Sequence, residues 1–87
     1  MVTIEFFSGE PVCGECKVTL DLVEEVIKEY GGRVKLVKYI GATEKFKEYG
    51  LEVTPAVVID ETIRIIGVTP SKETLKRAID FELSLED

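Results

Sequence analysis

The sequence predicts a single α/β domain over residues 1–87, with elements in the order β-α-β-α-β-β-α. Three observations carry this. A strand-type run opens the chain and a second follows after a stretch of helical period, which is the pattern of a right-handed βαβ unit. A short, wholly apolar run in the second half suits a central strand covered on both faces. The chain has 87 residues, fewer than the ~100–150 common for domains, so it holds one core, expected over residues 2–83.

Residues 2–7, Val-Thr-Ile-Glu-Phe-Phe, form the first predicted strand because β-branched and aromatic side chains fit a pleated surface. Residues 8–11 make a loop. From Cys13 to Tyr30 the apolar positions Cys16, Leu20, Val23, Val26, Ile27 and Tyr30 recur as one helical stripe, with Lys17, Asp21, Glu24, Glu25 and Lys28 opposite. Gly31-Gly32 supplies a left-handed stop. Residues 34–40 read as the second strand, parallel to the first. Thr43 is placed to cap a short helix reaching Tyr49, and Gly50 to end it. Residues 56–59, Ala-Val-Val-Ile, are the buried strand. Asp60-Glu61 then gives a tight connection into a hairpin strand at 62–66. Thr69-Pro70-Ser71 opens a final helix whose buried face is Leu75, Ala78, Ile79 and Leu83. The tail Ser84-Leu85-Glu86-Asp87 is expected to fray.

Composition removes several functions. With 11 Lys+Arg against 17 Asp+Glu and a net charge of −6, no basic face is available for phosphate contact, so no nucleic-acid partner is expected. At 45% hydrophobic residues the chain can bury a core. No apolar run approaches the ~18–20 residues that span a bilayer, so no membrane partner is expected. Met1 leads directly into strand-like sequence without a basic and apolar leader, which predicts a cytoplasmic protein. Histidine, tryptophan, asparagine and glutamine are absent. Few heat-labile amides with many Lys and Glu is the composition of a thermophile protein.

The two cysteines are three residues apart: Cys13-Gly14-Glu15-Cys16. A stapled secreted scaffold would want four or more cysteines, and a closed zinc site wants four ligands where this chain offers one Cys pair and no His. Cys13 falls just after a strand and at the first turn of a helix, where unpaired N–H groups favour a thiolate. Cys16 lies on the inward stripe. Cys13 is therefore the expected exposed nucleophile and Cys16 the thiol that resolves a mixed disulfide. Gly14 permits close approach of a partner chain. Glu15 opposes thiolate formation, and Lys17 partly offsets it, so a moderately reducing pair is expected. A second segment, Tyr49-Gly50-Leu51-Glu52-Val53-Thr54-Pro55, leads into the buried strand. The Thr54–Pro55 bond is either trans, at an ordinary strand start, or cis, in a tight turn that offers the Thr54 backbone to an extended peptide.

These residues together resemble the thioredoxin/glutaredoxin superfamily, in particular its small archaeal-type dithiol members. The likeness runs from about Val2 to Ile79. It rests on a strand ending in Phe6-Phe7, on Cys13-Gly14-Glu15-Cys16-Lys17 opening a helix, and on Tyr49-Gly50-Leu51 followed by Thr54-Pro55 and an apolar strand. The resemblance implies a thioredoxin-like four-stranded mixed sheet of order 2-1-3-4, with the third strand antiparallel to the first and helices on both faces. It also implies a cis bond before Pro55 and a thiol–disulfide oxidoreductase that needs no cofactor. Its partners would be protein disulfides and a reductase, and it would act as a monomer. Beside the catalytic pair, substrate would meet Pro11, Val12, Gly14, Glu15, Thr54, Pro55 and Gly67. Typical thioredoxins carry Trp where Val12 stands and bury an acid near the second Cys, for which Glu5 is the counterpart here. Pro11 matches glutaredoxins, but Ile66-Gly67-Val68-Thr69-Pro70 replaces the Gly-Gly and acidic residues with which glutaredoxins help hold glutathione. A glutathione-linked role is thus one alternative. Two others are a soft-metal carrier binding Cu or Zn through the same pair, and a docking subunit with an idle disulfide.

Overall fold

The structure, a computed structural model, describes residues 1–41 and 43–85. Strands β1 (Val2–Ser8), β2 (Val34–Ile40), β3 (Ala56–Ile59) and β4 (Ile63–Ile66) form one sheet of order β2-β1-β3-β4. β1 pairs with β2 in parallel, from Val2↔Val34 to Ser8↔Ile40. β3 runs antiparallel to both β1 and β4. Three α-helices complete the fold: α1 (Gly14–Ile27), α2 (Glu44–Glu48) and α3 (Lys72–Ser84). The mixed sheet and its strand order are those the resemblance implied.

The two-residue period of β1 divides the core into two layers. Val2, Ile4 and Phe6 face one side, where they pack with Cys16, Val23 and Val26 of α1 and Leu75 and Ile79 of α3. Phe7 faces the other side and packs with Leu51, Ala56, Val58 and the rings around α2. Every residue of β3 is buried, as a strand covered on both faces must be. Each of the three helices begins at a side-chain cap: Cys13, Thr43 and Ser71 accept from the N–H groups of Cys16, Phe46 and Thr74. The radius of gyration is 12.1 Å, against roughly 12 Å for a compact chain of this length. Among the described residues no helix is long and apolar enough to cross a membrane.

Boundaries differ from the sequence reading: β1 takes in Ser8, expected in the loop, and α2 ends at Glu48 with Tyr49 as its C-cap. α1 ends at Ile27 rather than Tyr30, and residues Lys28–Arg33 tighten into a 3₁₀ turn. Gly31 takes φ 60° there, which breaks the helical ladder and turns the chain into β2. Thr62 belongs to the hairpin turn and not to β4, because Asp60 and Glu61 both adopt positive φ, 51° and 64°. The Thr62 N–H closes that turn on the Ile59 carbonyl at 3.1 Å. At the C-terminus α3 includes Ser84, with Leu85 as its C-cap; residues 86 and 87 of the expected frayed tail lie outside the described residues.

Candidate active site

The strand registers bring four loops to one end of the sheet. Phe7↔Ala56 sets the residues after β1 beside the residues before β3. Ala56↔Ile66 then sets Gly67 beside Pro55. The pairing is locked by a bond from the Gly67 N–H to the Pro55 carbonyl at 2.8 Å. Gly67 has φ 78°, and a Cβ there would stand 3.2 Å from Val53 Cγ2. Glycine therefore serves both the backbone turn and the close passage of the 53–55 segment. The Thr54–Pro55 bond is cis, and so is Glu10–Pro11, which the sequence reading did not anticipate.

Cys13 caps α1 in extended geometry, φ −74° and ψ 164°. Its carbonyl accepts the Lys17 N–H at 2.9 Å and so starts the helix. Its Sγ accepts the Cys16 N–H at 3.0 Å. The two sulfurs are joined as a disulfide across 5.0 Å between Cα atoms. Their surroundings differ: Cys13 is exposed, whereas Cys16 is 0% exposed and packs into the α1–α3 layer. The residues expected to meet a substrate differ in exposure. Pro11, Val12, Gly14 and Glu15 are exposed, Thr54 and Gly67 are half-buried, and Pro55 is buried. A Cβ at Gly14 would meet nothing within 4 Å, so this chain's own packing does not require glycine there. Beside Thr54 a small cavity of about 190 Å³ is lined also by Ser8, Gly9, Gly41 and Phe46. Among the described residues, no three or more His, Cys, Asp or Glu side chains are grouped to hold a metal ion.

Glu5 is not the acid beneath Cys16. It is 5% exposed, as the resemblance implied for such an acid, but strand alternation turns it to the opposite layer with Phe7. Its Oε1 accepts the Tyr49 hydroxyl at 2.5 Å. Burial, and then the Glu5 carboxylate, push the Tyr49 hydroxyl far above the ordinary phenol range. Tyr39, stacked on Phe7 at 4.8 Å, is raised by the same causes. This acid and its tyrosines belong to the packing of α2 against the sheet, away from the sulfurs.

Three residues beside the site, Thr19, Val53 and Val68, escaped the sequence reading. Thr19 is fully buried on the stripe of α1, one turn beyond Cys16. Its Oγ1 donates to the Glu15 carbonyl at 2.9 Å and lies 2.8 Å from Thr69 Oγ1 in the loop between β4 and α3. The available signal was a polar residue interrupting an apolar stripe. Val53 and Val68, 51% and 57% exposed, flank the cis Pro55 and Gly67 and carry no motif of their own.

A family model described as a thioredoxin domain matches residues 2–80. A protein named "Thioredoxin" from Methanocaldococcus jannaschii is 40% identical, the match covering 94% of this chain and 96% of the relative. A "Probable Thioredoxin" from Methanothermobacter thermautotrophicus is 36% identical over 95% of this chain and 98% of its own. Among solved structures, a chloroplastic thioredoxin z superposes with a TM-score of 0.73 at 24% identity. It covers 95% of this chain and 80% of that one; this likeness speaks to the fold alone.

Proposed function

The chain belongs to the thioredoxin family and is a thiol–disulfide oxidoreductase; from that premise we propose that it reduces disulfide bonds in other proteins, with Cys13 attacking and Cys16 resolving. The observation that carries this is the asymmetry of the pair. Cys13 is open to a visitor, and its sulfur sits against the Cys16 N–H at the start of a helix. That donor and the helix N-terminus both favour the anionic sulfur, which is the attacking species. Cys16 is buried beside it.

In the first step the Cys13 thiolate attacks one sulfur of the substrate disulfide. The substrate S–S bond breaks, and the departing thiolate takes a proton. In the second step the Cys16 thiolate attacks Cys13 Sγ, which releases the second substrate thiol and leaves the Cys13–Cys16 disulfide. Two electrons and two protons have passed to the substrate, and a reductase restores them to the pair. The extended substrate segment lies across Val12, Gly14 and Glu15 on one side, and Thr54, Pro55 and Gly67 on the other, with Pro11 shaping the approach. The Thr54 backbone offers it strand-like pairing. The whole cycle is that of a monomer with no bound cofactor.

The test is reduction of insulin by the pre-reduced protein, followed as precipitation of the freed chain. The wild type should turn over with an external dithiol, and Cys13→Ser should abolish the reaction. Turnover that persists in Cys13→Ser, or a wild type that leaves insulin intact, would overturn the reading.

A further inference from the structure

Thr19 is the one polar side chain among the buried residues of α1, and the mechanism above makes no use of it. Its hydroxyl has a single proton, which goes to the Glu15 carbonyl at 2.9 Å. The 2.8 Å contact with Thr69 Oγ1 must then use the Thr69 proton, with Thr19 accepting. The direction is fixed: Thr69 donates to Thr19, and Thr19 donates to Glu15. The acceptor at the end is the backbone of a residue between the two cysteines. The donor at the start belongs to the loop whose Gly67 N–H binds the Pro55 carbonyl at 2.8 Å. Two bonds thus tie that loop to the rest of the site, one to the cis-proline segment and one to Thr19, which relays it to the dithiol turn through the Glu15 carbonyl.

We propose that Thr19 and Thr69 are a positioning pair that sets the gap between the Cys13–Cys16 turn and the Gly67–Val68 segment, and so governs how tightly a protein substrate is held against the sulfurs. This rests on the protein-disulfide reading given above. The side-chain bonds of the pair go to each other and to the Glu15 carbonyl, and the pair takes no proton in the reaction. Its effect falls on a substrate long enough to contact both sides of the gap. A disulfide too small to bridge the gap reacts at Cys13 without sensing its width.

The experiment compares insulin with hydroxyethyl disulfide as substrates for the wild type, Thr19→Val, Thr19→Ser and Thr69→Val. Val keeps the shape of Thr19 and removes its hydroxyl. We expect the insulin KM of Thr19→Val to rise about five-fold, the loss of roughly one net hydrogen bond, with kcat and the rate on hydroxyethyl disulfide within about two-fold of wild type. Thr19→Ser restores the hydroxyl and should restore the KM. Thr69→Val breaks the same bond from the half-buried loop side, and it carries the test if Thr19→Val does not fold. An unchanged insulin KM in the folded Val variants, or an equal loss on both disulfides, overturns the proposal while leaving the protein-reductase reading in place. A wild type inactive on insulin overturns both.

Discussion

Cys13 and Cys16 carry the same side chain and differ only in placement. One caps a helix and meets solvent; the other is a turn deeper against Phe6 and Val23. The same dependence on surroundings governs the three tyrosines. Burial, then the Asp80 carboxylate at 2.8 Å, push the Tyr30 hydroxyl up to about 12, and Tyr39 and Tyr49 are raised by burial and Glu5. The native state therefore keeps these protons where an unfolded chain gives them up. The stability they confer is full below the ordinary phenol value of 10.0 and is lost as pH rises through the raised native values. Phenolate absorbance at 295 nm should accordingly show little ionisation at pH 10 in the native protein and about half-ionisation in denaturant, with unfolding beginning above that pH. Ordinary titration of even one tyrosine in the native state would contradict the packing described for it. The carboxylate that Tyr39 and Tyr49 share was not legible from the sequence. Family likeness assigned Glu5 to the dithiol, whereas the simple alternation of β1 sends it to the other layer.

Elements were legible wherever one local signal dominates. β2 and β3 fall where their β-branched runs do, and Thr43 and Ser71 cap the helices they precede. Boundaries moved where two signals competed. Apolar Ile27 and Tyr30 continue the stripe of α1, but Gly31 at φ 60° ends the regular helix earlier. In the β3–β4 hairpin, Asp60 and Glu61 hold the two positive-φ positions of a tight turn, a place that favours Asn-Gly. Left-handed backbone costs a non-glycine residue about 1–2 kcal/mol. Glu61→Gly should therefore stabilise the protein by about 0.5–1 kcal/mol after the added freedom of the unfolded chain is subtracted. The urea midpoint measures this. A lower midpoint would mean that the Glu61 side chain contributes more than its backbone costs.

At the scale of the whole molecule, one sheet separates two tasks. The layer beneath α1 and α3 buries Cys16 and holds the dithiol turn. The layer beneath α2 carries Glu5, Tyr39 and Tyr49. The ion pairs that join α1 and the 3₁₀ turn after it to α3, Lys72 with Glu25 and Glu29 and Lys76 with Glu29 at 2.8–3.5 Å, lie on the exposed surface, where such pairs add little. The apolar layers therefore hold the helices in place. The dithiol was legible in the sequence because its four residues are contiguous. Pro55 and Gly67 face each other across the open end of the β3–β4 hairpin, but neither carries a chemical group of its own, so only family likeness suggested both as substrate contacts. The tie from Thr69 to Thr19 crosses fifty residues and has no local mark at all.

The unequal roles proposed for the two sulfurs are tested most directly by trapping. Pre-reduced Cys16→Ser, mixed with a protein disulfide and analysed by mass spectrometry without reductant, should accumulate a covalent adduct joined through Cys13, because no internal thiol remains to release it. Cys13→Ser under the same conditions should accumulate far less. Equal trapping by the two variants, or a preference for Cys16, would contradict the assignment.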